Sequence, residues 1–183
     1  MTKLSPYIPK IKPILTIKLT DAEFKRAVKI GVDRWKRDKN GMARERKLGH
    51  KGCRQINVQG AIGEVVFAKM HKFKMEENTD PRKGGIDFRC ENGITIDVKH
   101  TENTTDPKLR NPAYKIGKEY HADVYVLIVG AISGSTIKYG MMGWAFHGEL
   151  MKKENIITGS CTLPARKLRR DLGDFRKLIG RQL

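Results

Sequence analysis

Cysteine is scarce: Cys53, Cys90 and Cys161 are the only three in 183 residues. They are odd in number, widely spaced and form no CxxC pair, which excludes a disulfide scaffold and a cysteine-rich zinc module. The five histidines (His50, His71, His100, His121, His147) do not fall at zinc-ligand spacing with them. The nearest approach, His50-x-x-Cys53, lacks a second pair. The cysteines therefore read as reduced, in a cytoplasmic protein, with Cys90 the one expected to be buried. Long apolar runs are also missing. The longest, Val124 to Ile132, is about half of what a bilayer span requires, so no membrane is expected as a partner. The opening MTKLSPYIPKIKPIL carries three prolines and scattered lysines where an export signal would need an apolar helix. Repeats and low-complexity runs are absent. A chain of this length fills one core without staples, so the expectation is a single domain with an added arm.

Acidic residues are the next deficit. There are 20 Asp/Glu against 37 Lys/Arg, a formal charge of +17. The excess is not spread evenly. Residues 1–58 hold 16 basic against 5 acidic side chains, and residues 164–183 hold 7 against 2. The middle, 59–163, is close to neutral with 14 against 13. Two basic flanks around a neutral centre suit a polyanion, because each neutralised phosphate releases a condensed counterion. A nucleic acid is the expected partner. The division follows: a basic arm and helix over 1–57 packed on a core domain over 58–183, whose basic tail is 164–183.

Local signals place the elements. Pro6, Pro9 and Pro13 make the first thirteen residues an extended arm, followed by a short strand at Ile14–Leu19. Thr20-Asp21-Ala22-Glu23 forms a capping box for a helix running to about Lys39, with Phe24, Val28 and Trp35 as its docking face. Residues 42–56 are too basic and glycine-broken for core. A second helix is expected over Val58 to Phe73, and a polar loop over 102–122 whose Lys108, Arg110, Lys115 and Lys118 face DNA. Ala122–Ile132 and Ile137–Met142 read as strands, Gly143–Lys153 as a short helix, and the tail as mostly helical.

The most informative stretch is GGIDFRCENGITIDVKHT, residues 84–101. Asn92-Gly93 between two alternating runs marks a hairpin. A two-residue turn would pair residues summing to 185 and mix polar with apolar side chains on both faces. A three-residue loop, Glu91-Asn92-Gly93 with Gly93 left-handed, pairs residues summing to 184. Ile86, Phe88, Cys90, Ile94, Ile96 and Val98 then share one face, and Asp87, Arg89, Thr95, Asp97 and Lys99 the other. A one-residue slip flips every side chain, so the clean partition selects the second register. It sets Asp87 opposite Asp97 at about 5 Å. Two carboxylates that close repel by about 3 kcal/mol at an effective dielectric near 20. Lys99 relieves part of this; a hard divalent cation would relieve more.

An acidic residue on one strand followed by Asp/Glu-x-Lys on the next resembles the signature of the PD-(D/E)XK nuclease superfamily. Here it reads Asp87, then Asp97-Val98-Lys99. A glutamate on the preceding helix, as in Holliday junction resolvases and related viral endonucleases, is matched by Glu64 in Gly60-Ala61-Ile62-Gly63-Glu64. The isolated tripeptide is unspecific, since Glu23-Phe24-Lys25, Glu45-Arg46-Lys47 and Asp106-Pro107-Lys108 also fit it; only Asp97-Val98-Lys99 lies in an apolar strand. Ile86 stands where the family name has proline, and Asp97 where resolvases usually carry Glu.

The resemblance covers roughly residues 58–155. It implies an α/β fold with an αβββαβ core: a mixed sheet flanked by helices, here with basic extensions at both ends. It also implies hydrolysis of DNA phosphodiester bonds leaving a 5′-phosphate. Asp87, Asp97, Glu64 and the Val98 carbonyl would hold Mg²⁺, with Mn²⁺ able to substitute, and Lys99 would orient water or stabilise the phosphorane. Arg44, Arg46, Lys47, Lys51, Arg54, Lys108 and Arg110 are the expected DNA contacts, and a homodimer the expected assembly. A junction- or structure-selective endonuclease is favoured because no base-reading module is recognisable, with a processing nuclease of a virus or mobile element as an alternative. The rivals are a sequence-specific restriction-like enzyme and a non-catalytic nucleic-acid-binding protein on the same fold.

Overall fold

The computed structural model describes residues 11–40, 52–74, 85–118, 121–133 and 136–181. The expectations placed on Arg44, Arg46, Lys47, Lys51 and the first ten residues of the arm lie outside the described residues. The first strand, β1 (Leu15–Lys18), leads into helix α1 (Asp21–Asn40). The capping box forms: Thr20 N–H donates to Glu23 Oε2 at 2.7 Å, and Glu23 N–H donates to Thr20 Oγ1 at 3.2 Å. The buried stripe of α1 is displaced from the expected one. Ala27 and Ile30 are in the core, with Gly31 between α1 and the next helix, whereas Phe24, Val28 and Trp35 are only half-buried. Phe24 still packs against the core from its margin, and with Val28 and Val32 it borders a groove of about 840 Å³.

Helix α2 (Cys53–His71) begins five residues earlier than expected. Ala61, Ile62, Val65, Val66, Phe67, Ala68 and Met70 are all buried, because α2 lies between α1 and the sheet. The sheet has five strands in the order β1-β6-β5-β3-β2: β2 (Phe88–Arg89), β3 (Thr95–Thr101), β5 (Val124–Ser133) and β6 (Thr136–Phe146) join β1. Only the β3–β5 pair is parallel, so the sheet is mixed. Even-numbered Ile96, Val98, Val124, Val126 and Ile128 face the helices, while Tyr125, Leu127 and Val129 face a second core. That second core is closed by a small antiparallel sheet, β4-β8-β7, made of β4 (Lys108–Pro112), β7 (Ile156–Ile157) and β8 (Ser160–Pro164). Helices α3 (His147–Leu150) and α4 (Leu172–Leu178) complete the chain. The architecture is α/β, three layers deep. Among the described residues no helix is long and apolar enough to cross a membrane.

Three expectations need correction. The segment 102–122 contains β4, whose Leu109 and Asn111 point inward while Arg110 stays exposed. The crossover between parallel β3 and β5 is thus built from a strand and a single helical turn at Ala113–Lys115, where the αβββαβ core would place a helix. Strand β6 runs on to Phe146, so the helix expected over Gly143–Lys153 shrinks to α3. Last, among its described residues the tail is helical in two short pieces, a 3₁₀ turn at Ala165–Lys167 and α4, with an extended stretch between them. Cys90 is buried as expected, and Cys161 is too.

Candidate active site

The hairpin adopts the bulged register. Phe88 pairs with Ile96 and Arg89 with Thr95, and Cys90 N–H donates to Ile94 C=O at 2.8 Å. Gly93 has φ +88°, a left-handed conformation that glycine adopts without steric cost. Phe88, Cys90, Ile96 and Val98 share the helix-facing core as the partition requires. Ile86 departs from it and packs against the second core. Strand β2 begins only at Phe88, so alternation no longer governs the chain before it.

The brevity of β2 creates the site. Beyond Ile96, whose C=O accepts from Asp87 N–H at 2.8 Å, the edge of β3 runs past the end of its neighbour. The Asp87 carboxylate takes the neighbour's place: its Oδ2 accepts from Val98 N–H at 2.7 Å. In an extended strand the N–H and C=O of one residue leave on the same side, so the Val98 carbonyl is directed at this edge as well. Asp97 is buried and contacts Asp87 through a side-chain hydrogen bond. Lys99, two residues along the same face, places Nζ 2.6 Å from Asp97 Oδ1 and 2.7 Å from Oδ2.

Glu64 arrives from α2. A Cβ on Gly63 would stand 2.7 Å from the His100 Cβ, so only glycine lets the helix approach β3 this closely. Glu64 is buried and held by Arg34 of α1 in a bidentate pair, Nη1 to Oε1 at 2.6 Å and Nη2 to Oε2 at 2.8 Å. Lys115 comes from the turn after β4. A Cβ placed on Gly85 would lie 3.0 Å from Lys115 Nζ and 3.4 Å from Asp97 Oδ2, which brackets how near the two charges are.

Electrostatics follow from this crowding. Burial, then the charges of Glu64 and Asp97, push the Asp87 carboxyl well above the usual range. Burial raises Asp97 as well, against the opposing pull of Lys99 and Lys115. Burial also works against the Lys99 ammonium, but Asp97 and Asp87 outweigh it and hold its pKa above the ordinary lysine value.

The structure therefore brings together Glu64, Asp87, Asp97, Val98 and Lys99. It adds two residues to them. Lys115 had only been grouped with the basic side chains of its loop. Arg34 was missed, although a charged residue seven positions after Ala27 on the buried stripe of α1 is a readable signal. The expected DNA contacts that are described lie apart from this convergence: Arg54 sits over the Trp35 ring at 5.8 Å, Lys108 pairs with Asp106 at 2.8 Å, and Arg110 is exposed on β4.

An α/β protein with an acid–lysine cluster where one strand outruns its described neighbour is the class that this geometry defines. Residues 11–132 match a family of unknown function (DUF5843), and the chain belongs to that family. All seven residues named in the cluster fall inside the matched span. No curated protein and no solved structure matches the chain.

Proposed function

We propose that the protein is a Mg²⁺-dependent DNA endonuclease of the PD-(D/E)XK type, acting on branched or otherwise distorted DNA. One observation carries the reading. Asp87 and Asp97 meet where, among the described residues, β3 runs past the end of β2, with Lys99 on Asp97 and Glu64 close enough to raise Asp87. The resemblance needs this convergence, and nothing in the bare spacing of the residues guarantees it.

The donor set fits the ion. Mg²⁺ is commonly held by one or two carboxylates with several retained waters. Burial raises both carboxyls, with the charges of Glu64 and Asp97 adding to it at Asp87, and a hard cation would offset the charge they carry once ionised. Among the described residues no group of three or more His, Cys, Asp or Glu is arranged to hold a metal. The ion would therefore rest on Asp87 and Asp97, with the Val98 carbonyl as a further donor. Arg34 occupies both oxygens of Glu64, so Glu64 would contribute through water. When bound, the cation supplies a water of lowered pKa and neutralises charge on the phosphorane.

The chain's own residues do the rest. Asp97 anchors Lys99, so its ammonium is a fixed positive charge beside the place where a phosphate would sit. Arg34 sets the orientation of Glu64. Asp87 ties the site to the β3 backbone.

The test is cleavage of a labelled four-way junction, duplex and single strand in Mg²⁺ or EDTA. Wild type should cut in Mg²⁺. Asp97→Asn should abolish cutting while DNA binding in EDTA stays intact or tightens, because a charge repelling the phosphate is gone. Lys99→Ala should lower the rate by about a hundredfold to a thousandfold. If all proteins cut equally, the activity lies elsewhere. If wild type binds every substrate and cuts none in Mg²⁺ or Mn²⁺, the non-catalytic reading replaces this one.

A further inference from the structure

Among the described residues the exposed large hydrophobic side chains are three: Tyr114 at 68%, Ile157 at 56% and Ile156 at 43%. Tyr114 is far in sequence from Ile156–Ile157 but shares one end of the small sheet with them. Pro112 pairs with Ser160, Ala113 N–H donates to Gly159 C=O at 3.0 Å, and Ile157 pairs with Ser160. Tyr114 thus follows directly on the rung that joins β4 to the β7–β8 turn. It also directly precedes Lys115, whose ammonium reaches the acid–lysine cluster. An aromatic ring left in solvent one residue from a site lysine, beside two further exposed apolar side chains, marks a surface that something covers.

We propose that the Ala113–Lys115 turn grips the substrate: Lys115 meets a phosphate next to the cluster, and Tyr114 stacks on a base that is out of its helical stack. Ile157, paired with the Ser160 that also pairs with Pro112, lies at the same end of the small sheet. The substrate class that follows is DNA with an unpaired or extruded nucleotide beside the scissile step, as in a bulge or a branch point; continuous duplex offers Tyr114 no exposed base face. The charge of the chain favours this occupant. A polyanion is drawn to a +17 protein, whereas a second copy of the same chain is repelled by it. Aromatic stacking on one base is strong enough to set a preference, and it does not depend on sequence. The inference rests on the endonuclease reading only for the position of the scissile step.

The test is DNA binding in EDTA, where cleavage plays no part. Fluorescence anisotropy would compare a continuous duplex with the same duplex carrying a one-nucleotide bulge, for wild type, Tyr114→Phe, Tyr114→Ala and Lys115→Ala. Tyr114 is exposed, so its variants leave the core intact. Wild type and Tyr114→Phe should prefer the bulge. Tyr114→Ala should lose about five- to a hundredfold on the bulged duplex and nothing on the continuous one. Lys115→Ala should weaken both and flatten the log–log salt dependence by about 0.9. Equal losses on both duplexes, or no loss, for Tyr114→Ala would overturn the proposal. So would a Tyr114→Ala protein that sediments as a monomer where wild type is a dimer and keeps its bulge preference, since the ring would then belong to a contact between chains. A wild type that prefers the bulge but never cuts sinks the endonuclease and leaves the grip standing.

Discussion

Asp87 illustrates the cost of such a cluster in a single residue. Its carboxyl is raised by burial and by Glu64 and Asp97, so the folded protein keeps a proton that the unfolded chain releases near pH 4. Stability must then fall as pH rises from that point through the raised value. Asp87→Asn keeps an oxygen for the Val98 N–H and removes the charge. The variant should therefore melt higher than wild type at pH 7 in EDTA, and the two should converge toward pH 4 in thermal scans. Convergence at pH 7 and divergence at pH 4 would reverse the sign and rule out a raised Asp87 carboxyl. Arg34 should show the opposite behaviour. Its pair with Glu64 is nearly dry, with 12% and 5% of the two side chains exposed. Arg34→Ala leaves a carboxylate buried without its guanidinium and should cost about 3–5 kcal/mol in urea unfolding, whereas replacing both partners by apolar residues should restore most of it. Asp87, Asp97 and Lys99 were legible because a strand's period of two is rigid and the register had one clean solution. Arg34 was not, because a helix stripe can rotate by one residue: moving the buried face from Phe24–Val28 to Ala27–Ile30–Gly31 is what turns Arg34 inward.

At the scale of elements, the hairpin and the second helix make separate predictions. Space around a Gly93 Cβ is open, so Gly93→Ala would meet no neighbour. Its penalty is conformational alone, about 1–2 kcal/mol for a left-handed alanine, and Gly93→Asn should cost less. A larger loss in denaturant unfolding would mean that the turn does more than set the register. The C-terminal end of α2 carries His71, buried among Phe67 and Phe175 with ring centroids 4.8 Å and 5.1 Å away. Burial, reinforced by the charges of Arg176 and Arg181, lowers its pKa to about 4. The unfolded chain takes up this proton near pH 6.5 and the folded protein does not. Stability present at neutral pH is thus lost as pH falls from about 6.5 toward 4, by up to about 3 kcal/mol. Replacing the imidazole by a ring that cannot titrate, His71→Phe, should remove that part of the acid sensitivity, read as the difference between the two unfolding free energies at pH 7 and pH 4.5. The elements that escaped the sequence have a common cause. Strand β4 is five residues with two inward side chains, too few to show alternation beside Pro107 and Pro112. Its existence depends on β8, whose pairing lies some fifty residues away. Local patterning cannot see a partner at that distance.

Over the whole molecule, the proposed function would divide the labour of binding between the neutral centre and the basic flanks. The cluster's three carboxyls, Glu64, Asp87 and Asp97, face Arg34, Lys99 and Lys115, so the cluster offers little net positive charge to hold a phosphate. On the proposed reading, affinity would then come mostly from elsewhere, and the flanks 1–58 and 164–183, with 23 of the 37 basic residues, are the place to expect it. Lys115 is the link between the two, a cation of the neutral centre that reaches the cluster itself. If the flanks bind most of the phosphates, neutralising Arg44, Arg46, Lys47 and Lys51 together should flatten the log–log salt dependence of DNA binding by about 0.9 for each phosphate left without its cation. Discrimination between bulged and continuous duplex should survive those four substitutions, since phosphate contacts position the DNA without reading its form. Tyr114→Ala should do the converse, erasing discrimination while leaving the slope unchanged. Anisotropy titrations at several salt concentrations, with both duplexes and both variants, separate the two roles. A fourfold-neutralised protein with an unchanged slope would put the DNA on another surface, with Arg54, Arg110 and the tail as the remaining sources of charge. A fourfold-neutralised protein whose slope flattens but which also loses its preference for the bulge would show that the flanks shape the substrate as well as hold it.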